Sequence, residues 1–152
     1  MLLDRIAHLL HWLGFAAFLG GAFAQQTFMN ASTRGTLHPA VRDAYERISA
    51  NLVTRVELPA LVLQVVSGAW FLFQVPGFMR MGWMHGKLTA VLILLVLSHV
   101  EMFNARAVAR LRKRKGDAAA AEIAQRKRRH AQLGSVGTLA VVAVLGLVAF
   151  GR

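Results

Sequence analysis

Two groups of side chains in this sequence could hold a metal or a cofactor. The first is the stretch 79–87, MRMGWMHGK, where Met81 and Met84 lie shortly before His85. Thioether and imidazole groups are the ligands that select Cu(I). The second is a histidine pair, His11 and His85, each in a long apolar segment. Two neutral imidazoles at one level on neighbouring helices are a common axial ligand set of b-type haem in bundles.

The composition excludes several other chemistries. The chain has no cysteine, so disulfides, thiolate nucleophiles, iron–sulfur clusters and c-type haem attachment are excluded. Hydrophobic residues make up 56% of the 152 residues and charged residues only 16%. Soluble domains carry roughly a quarter of charged residues. The sequence therefore indicates a membrane protein, and it has no hydrolytic or nucleotide-binding motif.

Four apolar segments predict the elements that position these side chains. A bilayer core requires about 20 apolar residues per helix. We expect membrane spans near 6–28, 57–76, 82–103 and 132–150. The predicted fold is all-α, a four-helix bundle that forms a single domain over residues 1–152.

The distribution of charge predicts the orientation of these spans. The connector 104–130 carries ten of the 18 Lys and Arg residues, and the first connector adds Arg34, Arg42, Arg47 and Arg55. The positive-inside rule then places both termini and the stretch 79–87 outside the cytoplasm of a bacterial inner membrane. The basic runs could bind phosphate, but we interpret them as a topology signal that contacts anionic lipid rather than nucleic acid.

Depth and helical periodicity relate the histidines to each other. At 1.5 Å per residue, His11 lies about 8 Å and His85 about 5 Å below the outer ends of their helices. His99 lies about 21 Å deeper than His85, where it could be a second ligand, a proton relay or bonded to backbone. A helical period puts several residues on one face of the first span: His11, Gly14, Phe18, Gly21 and Gln25. The glycines fit either a flat macrocycle or close helix packing.

The positions of several other polar residues in the sequence indicate their roles. Ionisable residues inside a span are costly and point to function, and Glu57 and Glu101 belong to this class. His38 and His130 lie in connectors and are expected to be surface residues. Gly116 is expected to break the basic connector, and Asp117 to cap the helix that follows it.

Two motifs resemble a known family. The segment GWMHGKLTAVLILLVLSH, residues 82–99, is similar to the third span of HemJ membrane protoporphyrinogen oxidases, which opens with Gly-Trp-Leu-His-x-Lys-Leu. The segment LHWLGFAAFLGG, residues 10–21, resembles the first span of that family. Pro59 and Gly68 match a proline and a glycine of its second span. The resemblance covers about the first 105 residues, and CopD-like copper-handling membrane domains are wider relatives.

The resemblance implies an α-helical membrane bundle with b-type haem. His11 and His85 are the matched histidines, Trp83 belongs to the matched cluster, and Lys87 is a matched cation that could pair with a porphyrin propionate. The family has an Arg-x-x-Asn-Glu-x-Pro motif before its fourth helix. This chain has RKRRHAQLGSVG at 126–137 instead.

Three functions follow from these observations. The leading prediction is a haem-dependent membrane oxidoreductase that oxidises a porphyrinogen or transfers electrons to quinone. Its site would contain His11, His85, Lys87, Gly14, Phe18, Gly21, Trp83 and His99. The first alternative is a copper-binding or copper-transport protein that uses Met81, Met84 and His85. The second is a non-catalytic membrane subunit of a homo-oligomer or a larger complex.

Overall fold

The computed structural model describes residues 2–150, and this part of the chain contains helices and no strand. The helices are α1 (Leu2–Ala31), α2 (Pro39–Leu52), α3 (Leu58–Gln74), α4 (Gly82–Lys115) and α5 (Ala120–Phe150). A π-helical turn, Val53–Glu57, joins α2 to α3, and 3-10 turns, Pro76–Arg80 and Gly116–Ala119, flank α4. The all-α prediction is therefore confirmed.

Three helical stretches are long and apolar enough to cross a membrane. They are Leu2–Ala31, Pro39–Gln74 and Gly82–Phe150. The third stretch comprises α4 and α5, which fold back on each other so that Gly86 near the start of α4 faces Leu147 near the end of α5. Length and apolar composition indicate a membrane protein.

Local sequence explains where the helices begin and end. Gly116 has φ 54°, a left-handed conformation that favours glycine, and α4 ends immediately before it. The predicted break at this residue is confirmed. Pro39 begins α2, where its missing N–H costs nothing, and the His38 ring accepts the Ala40 N–H at 3.3 Å. His38 is exposed, as expected, and acts as the N-cap.

The second helical stretch begins much earlier than the apolar pattern predicts. The apolar segment predicts a span near 57–76, but the helix starts at Pro39 because α2 is an amphipathic extension. The π-helical turn then adds a residue to the helical repeat before Glu57. Such turns are rare and are frequently found at functional sites.

The bundle core lies where α1, α3, α4 and α5 meet. Phe18, Leu61, Leu94 and Val144 are at least 93% buried there. Large apolar side chains also cover the outside, and Phe23 and Phe73 are 77% and 84% exposed. An apolar exterior around an apolar core is typical of helices in lipid.

A buried ion-pair network fixes the basic connector to the rest of the fold. The Glu46 side chain on α2 is fully buried, and its Oε1 lies 2.6 Å from Lys127 Nζ and 3.2 Å from Arg112 NH2. Lys127 also donates to the Ser32 carbonyl at the end of α1. Asp117 was expected to cap α5, but its carboxylate accepts from Arg112 at 3.1 Å. The connector is thus a structural element as well as a charge signal.

The burial of His130 contradicts the sequence prediction. We expected a surface residue because His130 lies in a basic connector, but its side chain has no exposed area. Neither ring nitrogen finds a hydrogen-bond partner within residues 2–150. The neighbouring cations point elsewhere, which a linear charge pattern does not reveal.

Candidate functional site

The hydrogen bonds of His11 fix which of its ring nitrogens carries the proton. Nδ1 lies 3.0 Å from the Gln64 carbonyl and 3.0 Å from the Ser67 hydroxyl on α3. The Ser67 hydroxyl donates to the Leu63 carbonyl at 2.8 Å, so it can only accept from His11. With two acceptors around it, Nδ1 must be the donor. In the neutral ring, Nε2 therefore carries the lone pair.

The surroundings of His11 hold the ring in place. The ring is half-buried, and it meets Phe71 edge-on with ring centroids 5.9 Å apart. Gly68 lies against the ring carbon Cε1, and a Cβ at that position would come within 3.3 Å of it. Lys87 lies within electrostatic range of the ring. A histidine anchored through Nδ1, with Nε2 unused, has the arrangement of a typical metal ligand.

His85 has a different arrangement. Its side chain is exposed, and Nε2 donates to the Met79 carbonyl at 2.9 Å in the turn before α4. His11 and His85 thus make their hydrogen bonds to different elements, and the structure does not bring them to a common partner. No Cα atom of α1 lies within 8 Å of a Cα atom of α4, so these two helices meet only through side chains such as Gln25 and Glu101.

The two methionines next to His85 have different surroundings. Met84 is 6% exposed and points into the bundle, whereas Met81 is 44% exposed. The Trp83 indole N–H lies 3.3 Å from the Met81 sulfur. Within residues 2–150, no group of three His, Asp or Glu side chains is placed to hold a metal ion. A haem iron needs only two protein ligands, so the absence of a group of three such side chains does not argue against haem.

Gly14 and Gly21 of α1 face the second helical stretch. A Cβ at Gly14 would lie 3.0 Å from the Ala60 carbonyl oxygen, and one at Gly21 would lie 3.3 Å from the Glu57 backbone nitrogen. The surface that these glycines open is therefore taken up by the neighbouring helix. Phe18, between them on the same face, is buried in the core.

His99 lies on the exterior of α4. Its side chain is exposed, and Nδ1 lies 2.7 Å from the Leu95 carbonyl one turn earlier. Of the roles considered for this residue, a bond to a neighbouring backbone group is the one present.

A second polar site lies deeper in the bundle. The sequence indicates its two carboxyl groups but not that they line one cavity. Glu57 and Glu101, 1% and 6% exposed, line a cavity of about 400 Å³ between α1, α4 and α5. Gln25 donates to Glu101 at 3.4 Å, and Ser98 is a hydrogen-bond partner of Glu57. The signal in the sequence was the cost of two carboxyl groups in apolar segments.

Four arginines line a third site, a groove between α2, the π-helical turn and α4. Arg47, Arg55, Arg106 and Arg110 surround a space of about 470 Å³. Arg106 donates to the Thr54 hydroxyl at 3.2 Å, so at least one of these side chains is held in place. The groove has the charge that suits a phosphate group.

Comparisons with family models, curated proteins and solved structures find no match. The resemblance to HemJ stays a prediction that rests on the motifs at 10–21 and 82–99.

Proposed function

We propose that this chain is a four-span protein of the bacterial inner membrane with both termini outside the cytoplasm. Its exterior is apolar, and α4 and α5 form an antiparallel pair, so each can be one span. The cations of 104–130 then lie at one end of the bundle together with the arginine groove. Anionic lipid headgroups are the expected partners of that groove.

Single cysteines test the orientation, because the chain has none of its own. Gly77 lies in the outer turn and Gly35 in the turn between α1 and α2, and both have open space for a side chain. A membrane-impermeant maleimide should label Gly77→Cys in intact cells, and Gly35→Cys only after the cells are opened. The opposite pattern would reverse the orientation.

We further propose that the protein binds b-type haem near its outer surface and acts in electron transfer, as an oxidoreductase of the HemJ-like type. One observation carries this proposal: His11 is anchored through Nδ1 to α3, which leaves Nε2 available to a ligand. The wide spacing of the α1 and α4 backbones supports it, because a planar group needs space between the helices that hold it.

The residues of the chain would have separate tasks in this site. His11 would be the first axial ligand, and α3 would set its orientation and basicity through the Gln64 carbonyl. Lys87, half-buried near His11, would neutralise a propionate. His85 is the second ligand implied by the resemblance, and ligation through Nε2 requires release of its bond to Met79. Bound haem would supply the one-electron chemistry, with a porphyrinogen or a quinone as the partner.

The visible spectrum and metal content of the purified protein test this function together. We expect a Soret band, with sharp α and β bands after reduction, and about one iron per chain. Copper without haem would overturn the proposal in favour of a copper-binding protein that uses Met81, Met84 and His85. Absence of both metals would overturn it in favour of a non-catalytic membrane subunit.

A further inference from the structure

The cavity beside Glu57 and Glu101 has the size and lining of a small-molecule site. Its volume of about 400 Å³ lies within the range of about 300–1,000 Å³ for ligand pockets. One part of its wall is apolar and consists of Phe18, Leu19, Ala22, Phe23, Leu94, Leu97 and Val141. The polar part consists of Gln25, Gln26, Glu57, Ser98, Glu101 and Thr138.

The polar part of this cavity contains buried acceptors that lack donors. Glu57 Oε2, Glu101 Oε1 and Gln26 Oε1 are buried without a hydrogen-bond partner within residues 2–150. One N–H of Gln25 Nε2 donates to Glu101, one N–H of Gln26 Nε2 donates to the His130 carbonyl, and the Thr138 hydroxyl donates to the Gly134 carbonyl. A ligand that brings donors of its own would therefore complete the site.

The two carboxyl groups of the cavity also favour a ligand that carries a positive charge. Two carboxyl groups at most 6% exposed are costly in an apolar region unless a cation neutralises them or they bind protons. The buried cations of the inner end, Arg112 and Lys127, are engaged by Glu46. Lys87 lies near His11, toward the other end of the bundle.

We propose that this cavity binds a hydrophobic amine in its protonated form. The ammonium group donates to the free oxygens of Glu57, Glu101 and Gln26, and the apolar body lies against Phe18 and Leu94. A bare metal ion would leave the apolar part of the cavity unfilled, and a neutral quinone would leave both carboxyl groups to be neutralised by bound protons alone. The proposal does not depend on whether His11 binds haem.

Binding of a fluorescent amine to the purified protein tests this proposal. The probe is dansylcadaverine, which joins an aromatic group to a primary ammonium, and its N-acetylated form is the neutral control. We expect saturable binding of the amine and at least tenfold weaker binding of the acetylated form. Equal affinity for the two forms, or no saturable binding of the amine, would overturn the proposal.

Two pairs of variants locate the binding site. Glu101→Gln keeps the shape of the side chain and should weaken amine binding at least tenfold, because a charge-assisted hydrogen bond is lost. Glu122→Gln is the matched control, since Glu122 on α5 is 45% exposed and pairs with Arg126 away from the cavity. An unchanged affinity in a folded Glu101→Gln protein would contradict the site.

The second pair tests the cavity by its volume. Gly137 lines the cavity with open space around it, so Gly137→Leu should fill part of it and weaken binding without loss of folding. Gly146, on the same helix and also in open space, is outside the lining, and Gly146→Leu should leave the affinity unchanged. Equal effects of the two substitutions would show that binding occurs elsewhere.

Discussion

Glu46 provides the strongest test of how the basic connector is held to the rest of the bundle. Its fully buried carboxylate contacts two cations, Lys127 at 2.6 Å and Arg112 at 3.2 Å. These contacts join α2 to α4 and α5, and Lys127 extends the network to α1 through the Ser32 carbonyl. Glu46→Gln removes the charge and keeps the shape, so its effect reports on the ion pairs.

We expect the loss of stability in Glu46→Gln to lie near the lower end of the usual range for a broken buried ion pair. Removing one partner of a buried ion pair costs about 3–5 kcal/mol, since the other charge is left buried. Arg112 keeps Asp43 at 3.4 Å and Asp117 at 3.1 Å, which compensates its charge. Burial lowers the pKa of Lys127, and its ammonium group keeps the hydrogen bond to the Ser32 carbonyl at 3.0 Å, which partly compensates the lost partner. We therefore expect a loss of about 3 kcal/mol in the free energy of unfolding.

Thermal unfolding followed by tryptophan fluorescence measures this loss in detergent at neutral pH. About 3 kcal/mol corresponds to a fall in Tm of about 6–12 °C for a chain of this length. Asp117→Asn is the matched control, because this carboxylate also binds Arg112 but is 93% exposed, and exposed pairs contribute about 1 kcal/mol or less. If both variants unfold at the same temperature, the buried network does not stabilise the bundle as argued.

Two further predictions concern packing and pH. Gly14→Ala places a Cβ 3.0 Å from the Ala60 carbonyl oxygen and should lower the free energy of unfolding by about 1–3 kcal/mol. Gly20→Ala, the control, places its Cβ in open space and should not destabilise the protein. Equal melting temperatures of the two variants would contradict the packing of α1 on α3. Burial lowers the pKa of His130 from 6.5 to about 4, so the unfolded chain takes up this proton first as the pH falls. Stability should therefore be full above pH 6.5 and decline by up to about 3 kcal/mol toward pH 4. His130→Leu should flatten this decline in melting curves recorded across that range, and an unchanged decline would assign it to other groups.

Features that depend on local sequence were predicted correctly. The helical fold follows from the long apolar segments, and the break after Lys115 follows from Gly116, where a positive φ favours glycine. The start of the second helix was missed because α2 is amphipathic rather than apolar. Burial of His130 was missed because it depends on how α5 packs, which the neighbouring charges do not reveal.

The candidate sites depend on tertiary contacts, and the sequence predicts only some of their residues. It identified His11, but the bonds to Gln64 and Ser67 that fix its tautomer join positions more than 50 residues apart. It noted Glu57 and Glu101 as costly residues, but not that one cavity exposes both. The cavity lies where α1, α4 and α5 pack beside the π-helical turn that contains Glu57, and neither feature has a simple sequence signature.

The central claim is that His11 is a haem ligand, and the spectra of two histidine variants test it most directly. His11→Ala removes the anchored imidazole, and His99→Ala removes an exposed one that bonds only to its own helix. We predict that His11→Ala loses the sharp reduced α and β bands of low-spin haem, while His99→Ala keeps them at the wild-type intensity. A low-spin spectrum that persists in a folded His11→Ala protein would contradict the assignment.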